Sequence, residues 1–184
     1  MIKQLGIIST YKFPLLIAIT LGVVLSAVKV AKEPLLLAMI FAGVLLGTLV
    51  LELEYVLYAF VFEPHTPFAE NLTSFIKHGD FANAAKYVEY HKHEITDKSL
   101  NSAVFQVIIG LMAIFVISSD VSILIKAFVL SIFANTIYKL AESYFENKLH
   151  DWFWVLKNTP SRSGVVLYSF SLLILFIYCL LIFK

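Results

Sequence analysis

A stripe of five polar residues is the part of this sequence whose spacing could support chemistry. The residues follow one another at steps of four, four, three and four, which places them on one face of a helix: Ser131, Asn135, Lys139, Glu142 and Glu146. Ionisable side chains at membrane depth usually face a bundle interior or water, where they pair or guide ions. The stripe therefore predicts a polar network whose last members lie at or beyond the end of an apolar segment.

Two glutamates at the end of another apolar segment extend this network. The apolar segments that end near Glu52 and Lys139 begin at Pro34 and Val121. Each of the two charged residues lies eighteen residues beyond that start, which is about 27 Å along a helix. A charge at this depth must reach the interface or find a partner, and we expect Lys139 to pair with Glu52 or Glu54. The predicted polar network comprises Glu52, Glu54, Asn135, Lys139 and Glu142.

The composition indicates that these residues lie in an integral membrane protein. The 184 residues are 60% hydrophobic and 15% charged, whereas soluble domains are about 45–50% apolar and about 25% charged. High hydrophobicity excludes a disordered chain, and a net charge of +1 gives no basic excess for binding nucleic acid. A single cysteine excludes a disulfide scaffold.

Five apolar segments predict an all-α, polytopic membrane protein with five transmembrane helices. A bilayer core about 30 Å thick requires roughly 20 apolar residues in a helix. The first segment is shorter, but Lys12 and Lys29 flank it and can reach opposite interfaces. Residues 1–62 then contain spans one and two, at 13–30 and 34–62, and residues 63–99 form a hairpin. Residues 100–184 contain spans three to five, at 100–119, 121–149 and 163–183, with an interfacial segment at 150–160.

The positions of the lysines and arginine predict the orientation. With five crossings, ten of these fourteen residues fall on the side of the N-terminus: Lys3, Lys12, Lys77, Lys86, Lys92, Lys98, Lys139, Lys148, Lys157 and Arg162. The other side has four, which are Lys29, Lys32, Lys126 and Lys184. Because basic residues accumulate in cytoplasmic loops, we expect a multi-pass protein of the cell (inner) membrane with a cytoplasmic N-terminus and an outside C-terminus.

Segment 63–99 is predicted to form a cytoplasmic helical hairpin. Thr66 is a candidate N-cap with Pro67 at the first helical position, and Gly79 is placed to end this helix. Asp80 is placed to begin a second helix that extends to about His93.

The turn of this hairpin carries a family resemblance. The run Gly79-Asp80-Phe81-Ala82-Asn83-Ala84-Ala85-Lys86-Tyr87 has a turn glycine, an aromatic residue two positions later, small alanines and a second aromatic residue. It resembles the middle of a tetratricopeptide repeat over about one repeat length. The resemblance implies a helical hairpin that contacts another protein. A generic αα-hairpin with an alanine-lined contact is the alternative.

Small residues and tryptophans predict how the helices pack and where the membrane surface lies. Gly43 and Gly47 are four residues apart in span two, a spacing that lets two helices approach closely in lipid. Their partner is either another span of this chain or a second copy of it, as in a homo-oligomer. Trp152 and Trp154 are predicted to anchor the interfacial segment at the headgroup level.

No spacing of residues in the sequence indicates a catalytic, metal or cofactor site. His91, His93 and Glu94 are of metal-binding types, but His91 and His93 point in different directions on a helix. We therefore predict a non-enzymatic membrane scaffold or subunit that contacts the bilayer and presents a helical face to a cytoplasmic protein. One alternative is a small oligomeric transporter or channel. Another is a membrane-embedded enzyme acting on lipid with Glu52, Glu54, His150 or Asp151.

Overall fold

The computed structural model describes residues 12–29, 32–91, 95, 99–156 and 158–183, and all its regular elements in these ranges are helical. The all-α prediction is therefore confirmed for the described part of the chain. The elements, in chain order, are α1 (Lys12–Val28), α2 (Pro34–Val50), α3 (Leu53–Leu57), a π-helical turn (Tyr58–Phe62), α4 (Pro67–Lys77), α5 (Phe81–His91), α6 (Ala103–Ser118), α7 (Ile123–Phe145), α8 (Leu149–Trp152) and α9 (Arg162–Leu181).

Two compact units divide these elements. The bundle unit comprises the described residues of 14–51 and 98–184, and the hairpin unit comprises those of 52–97 together with Lys12 and Phe13. Each unit has its own apolar core.

Helix length supports fewer membrane spans than the five expected. Two described helices, α7 and α9, are long and apolar enough to cross a membrane. Helix α2 becomes a third candidate when it is joined with residues 53–62 as an interrupted span. Helices α1 and α6 are apolar but have only 17 and 16 residues, which is about 24–26 Å of helix against a core of about 30 Å. The count of five spans is therefore not confirmed.

The predicted continuous helix at 34–62 is wrong, because the helix breaks at Leu51 and Glu52. The buried side-chain amide of Asn101 donates a hydrogen bond of 3.2 Å to the carbonyl of Leu51. A side chain that occupies a carbonyl of the i→i−4 ladder interrupts the helix at that point. The contact joins residues fifty positions apart, so local sequence did not indicate it.

The prediction that the fourth span extends to residue 149 is also wrong. Helix α7 ends at Phe145, and Asn147 adopts the left-handed conformation with φ 56°. The backbone N–H of Lys148 then donates to the carbonyl of Ser143 at 2.8 Å, and that of Asn147 donates to Tyr144 at 3.3 Å. These two bonds form a Schellman ending. The interfacial segment at 150–160 consequently begins with only the short helix α8.

The core of the bundle unit forms where α2 lies along α7. Ile40 and Val44 on α2 and Leu130 and Phe133 on α7 are completely buried. Helices α6 and α9 also contribute residues to this core, and both leave large apolar side chains exposed. Such faces are costly in water but are favourable against lipid chains.

The hairpin unit follows the local signals of its sequence. The side chain of Thr66 accepts a hydrogen bond from the N–H of Ala69 at 3.2 Å, as its prediction as an N-cap requires. Gly79 has φ +71°, and the N–H of Asp80 donates to Phe75 at 2.9 Å, so α4 ends where predicted. Helix α5 is described through His91, and the expected end near His93 lies outside the described residues.

Candidate functional site

The two glycines of span two lie in the contact between α2 and α7. A Cβ added to Gly43 would come within hard contact of the Leu124 carbonyl and 3.1 Å from the Ala127 side chain. A Cβ added to Gly47 would meet the Phe128 carbonyl and lie 2.8 Å from the Cβ of Ser131. The glycines therefore allow the two backbones of one chain to approach, and this face is covered within the chain.

Three buried polar side chains bond to one another beside these glycines. The hydroxyls of Thr48 and Ser131 lie 3.0 Å apart, and Ser131 donates to the carbonyl of Val44 at 2.7 Å. The Asn135 amide donates to the Thr48 hydroxyl at 3.2 Å and to the carbonyl of Ser131 at 2.9 Å. We call Thr48, Ser131 and Asn135 the seam network. The sequence predicted the two members on α7 but not Thr48, although it directly follows Gly47.

The seam network is suited to holding two helices together. All three side chains are neutral, at least nine-tenths buried and hydrogen-bonded to α2 or α7. Interhelical bonds of this kind stabilise helix packing in lipid by about 0.6 kcal/mol on average. An ion path requires exchangeable ligands, whereas these donors and acceptors already bind one another.

The charged members of the predicted network lie further along the chain. Lys139 is 3.4 Å from Glu142 within α7, and Lys148 is 2.6 Å from Glu146. Glu52 and Glu54 belong to the hairpin unit, where Glu54 is 2% exposed. The pairing of Lys139 with Glu52 or Glu54 stays a prediction.

A second buried polar contact was not predicted from the sequence. The hydroxyl of Tyr168 on α9 donates to the side-chain carbonyl of Gln106 on α6 at 3.0 Å, and Gln106 is completely buried. The Nε2 amide of Gln106 and the indole N–H of Trp152 have no hydrogen-bond acceptor among the described residues. Gln106 can be recognised in the sequence as a polar residue in an apolar segment. Its partner on α9, Tyr168, could be identified only from the folded structure.

A cleft in the hairpin unit lies between the π-helical turn and α4. Its volume is about 480 Å³, and Ala59, Phe60 and Pro64 form its apolar part. Glu70 and Lys77 line the same cleft from α4, seven residues or two helical turns apart. π-Helical turns occur frequently at functional sites. The cleft thus combines an apolar floor with charges of both signs.

Aromatic side chains pack between the two helices of the hairpin unit, α4 and α5. Tyr87 on α5 packs against Phe68 and Phe75 on α4, with ring centroids 5.5 and 5.7 Å apart. Its hydroxyl accepts a hydrogen bond from the side-chain amide of Asn71 at 3.2 Å, and its ring lies 4.4 Å from the ring of His91. Tyr87, the second aromatic residue of the run that resembles a tetratricopeptide repeat, is therefore a packing residue.

The two tryptophans occupy different environments. Trp152 is 3% exposed and packs in the core of the bundle unit, so its ring does not lie on the protein surface as expected of an anchor. Trp154 is 43% exposed, and its role as an interfacial anchor stays a prediction.

Within the described ranges, no three His, Cys, Asp or Glu side chains come close enough together to hold a metal ion. His93 and Glu94 are residue types that can bind metals, and they lie outside those ranges. The single cysteine of the sequence, Cys179, is buried in α9.

The described part of the chain is helical and contains two or three helices that are long and apolar enough to cross a membrane. Comparisons with protein-family models, with curated proteins and with solved structures find no match.

Proposed function

We propose that this protein is a five-span protein of the inner membrane with its hairpin unit in the cytoplasm. Helices α7 and α9 support the proposal by their length and composition. The short helices α1 and α6 carry exposed apolar side chains such as Leu16 at 60% and Phe115 at 74%, which lipid would cover. The distribution of ten basic residues against four supports the orientation.

The protein acts as a non-enzymatic scaffold whose cleft binds a segment of a cytoplasmic protein. The cleft between the π-helical turn and α4 is the observation that carries this proposal. An apolar side chain of the partner fits against Phe60 and Pro64, since Phe60 is 44% exposed beside the cleft. Burying such an anchor is what dominates affinity in most protein interfaces.

Charges on α4 define the polar part of the partner. Lys77 and Glu70 are both exposed and both line the cleft, so a partner with an acidic and a basic side chain about two helical turns apart is complementary to it. A helix with one apolar anchor between two opposite charges meets these requirements.

Capture of the partner with matched variants tests the proposal. Tagged protein is cross-linked in cells, solubilised in mild detergent and scored for a stoichiometric partner. Ser74→Tyr fills the cleft and Lys77→Glu reverses its charge, whereas Lys86→Glu makes the same reversal on an exposed residue of α5 outside the cleft. We expect the Lys86 variant to retain the partner and both cleft variants to lose it by about tenfold or more. Equal recovery from all variants would contradict binding in the cleft.

A further inference from the structure

We propose that a groove at one end of the bundle unit binds an acyl chain of a membrane phospholipid, with the lipid phosphate at Arg162. The groove has a volume of about 470 Å³ and lies between α6, the segment at 152–156 and the start of α9. This inference rests on the membrane placement proposed above and adds a ligand that the scaffold role does not require.

The lining of the groove fits a hydrocarbon chain. Val104, Val107 and Ile108 line it from α6, and Trp152 and Leu156 line it from the following segment. Its one hydroxyl, on Tyr168, is already used, because it donates to the buried Gln106. Apart from the indole N–H of Trp152, this lining offers a polar ligand few partners for its own hydrogen-bonding groups, whereas methylene groups need none.

The groove continues into the surface that lipid chains would cover. Leu111 and Phe115 continue the exposed face of α6 on which Val107 and Ile108 lie, and they are 62% and 74% exposed. Helix α9 is itself long and apolar enough to cross a membrane. A lipid chain can therefore enter the groove along the apolar face of α6.

The opposite end of the groove carries the charge that a phospholipid needs. Pro160 and Gly164 line this end, and the exposed Arg162 lies between them in the sequence. Its guanidinium is 3.5 Å from the side-chain carbonyl of Asn147, a long contact that leaves most of its N–H donors for a phosphate. A cation within two residues of the groove lining can pair with the phosphate of a lipid whose acyl chain lies in the groove.

The two tryptophans of the chain provide a direct test. Trp154→Phe leaves Trp152 as the sole tryptophan, and Trp152 is 3% exposed, so surrounding lipid reaches it only through the groove. Phosphatidylcholine with brominated chains, which quenches tryptophan on contact, is titrated into the protein in detergent. Val107→Phe fills the groove, and Leu111→Phe adds the same ring one turn away, outside its lining.

We expect Trp152 to be quenched, with about tenfold more lipid needed in the Val107→Phe background and no change with Leu111→Phe. Arg162→Gln should also raise the lipid requirement. Absence of quenching, equal quenching in both phenylalanine variants, or a preference for brominated free fatty acid would overturn the proposal. Carbonate extraction of membranes separates the two claims: a released protein overturns the membrane placement, and a retained but unquenched protein overturns only the groove.

Discussion

The hydroxyl of Ser131 on α7 donates a hydrogen bond of 2.7 Å to the backbone carbonyl of Val44 on α2. The Thr48 hydroxyl lies 3.0 Å from both this carbonyl and the Ser131 oxygen, and its single proton can be donated to either of them. A short serine side chain reaches a backbone carbonyl of another helix only when the two helices are close. Gly43 and Gly47 provide that closeness, because neither has a Cβ to hold the backbones apart.

Alanine at Gly47 should therefore destabilise the bundle unit. Its Cβ would press on the Phe128 carbonyl and lie 2.8 Å from the Ser131 Cβ, and backbone cannot move aside cheaply. We expect the free energy of unfolding in mild detergent to fall by about 1–3 kcal/mol.

Gly110→Ala is the matched control for this substitution. A Cβ on Gly110 would meet only side-chain atoms at 3.4 Å, so the gain in helix propensity should offset the contact to within about 1 kcal/mol. Equal losses at Gly47 and Gly110 would show that the close approach is not what the glycine provides.

The bond between Thr48 and Asn135 should give a measurable coupling energy. A double-mutant cycle of Thr48→Val and Asn135→Leu removes their 3.2 Å hydrogen bond, and we expect coupling of about 0.6 kcal/mol and at most about 1.7. Thr48→Val combined with Thr136→Val is the control, since Thr136 donates within its own helix to Phe133. Independent sites usually add to within about 0.3–0.5 kcal/mol, and a Thr48–Asn135 cycle inside that range would count against the seam network.

Valine at Gly79 should loosen the end of α4. Gly79 has φ +71°, a conformation that costs a β-branched residue roughly 1–2 kcal/mol. Limited proteolysis should then cleave near His78 faster than in the parent protein. Asparagine tolerates this conformation better, so Gly79→Asn should restore most of the resistance. Indistinguishable cleavage of Gly79→Val and the parent would mean that the left-handed residue does not stabilise the helix end.

Local signals explain why the hairpin could be read from the sequence. Thr66 and Gly79 act through hydrogen bonds to residues three positions away, and Pro67 acts through its fixed φ, so their types alone predict the beginning and end of α4. The close contact between α2 and α7 could also be predicted in part, because small residues four positions apart in an apolar helix indicate close packing.

Contacts distant in sequence account for what could not be predicted. The break after Val50 depends on Asn101, and the burial of Trp152 depends on how α8 meets the bundle core. The end of α7 was predicted wrongly for a different reason. Asn147 adopts the left-handed backbone conformation that ends the helix, and glycine is the residue that usually indicates this conformation in a sequence.

Accessibility of single cysteines in intact cells tests the central claim, a membrane protein with its hairpin unit in the cytoplasm. Cys179 is the one cysteine of the sequence, so Cys179→Ser gives a background to which Lys86→Cys or Asp120→Cys is added, both at exposed positions. A membrane-impermeant maleimide should label the Asp120 variant in intact cells and the Lys86 variant only after permeabilisation. Labelling of both variants under the same condition would contradict the account.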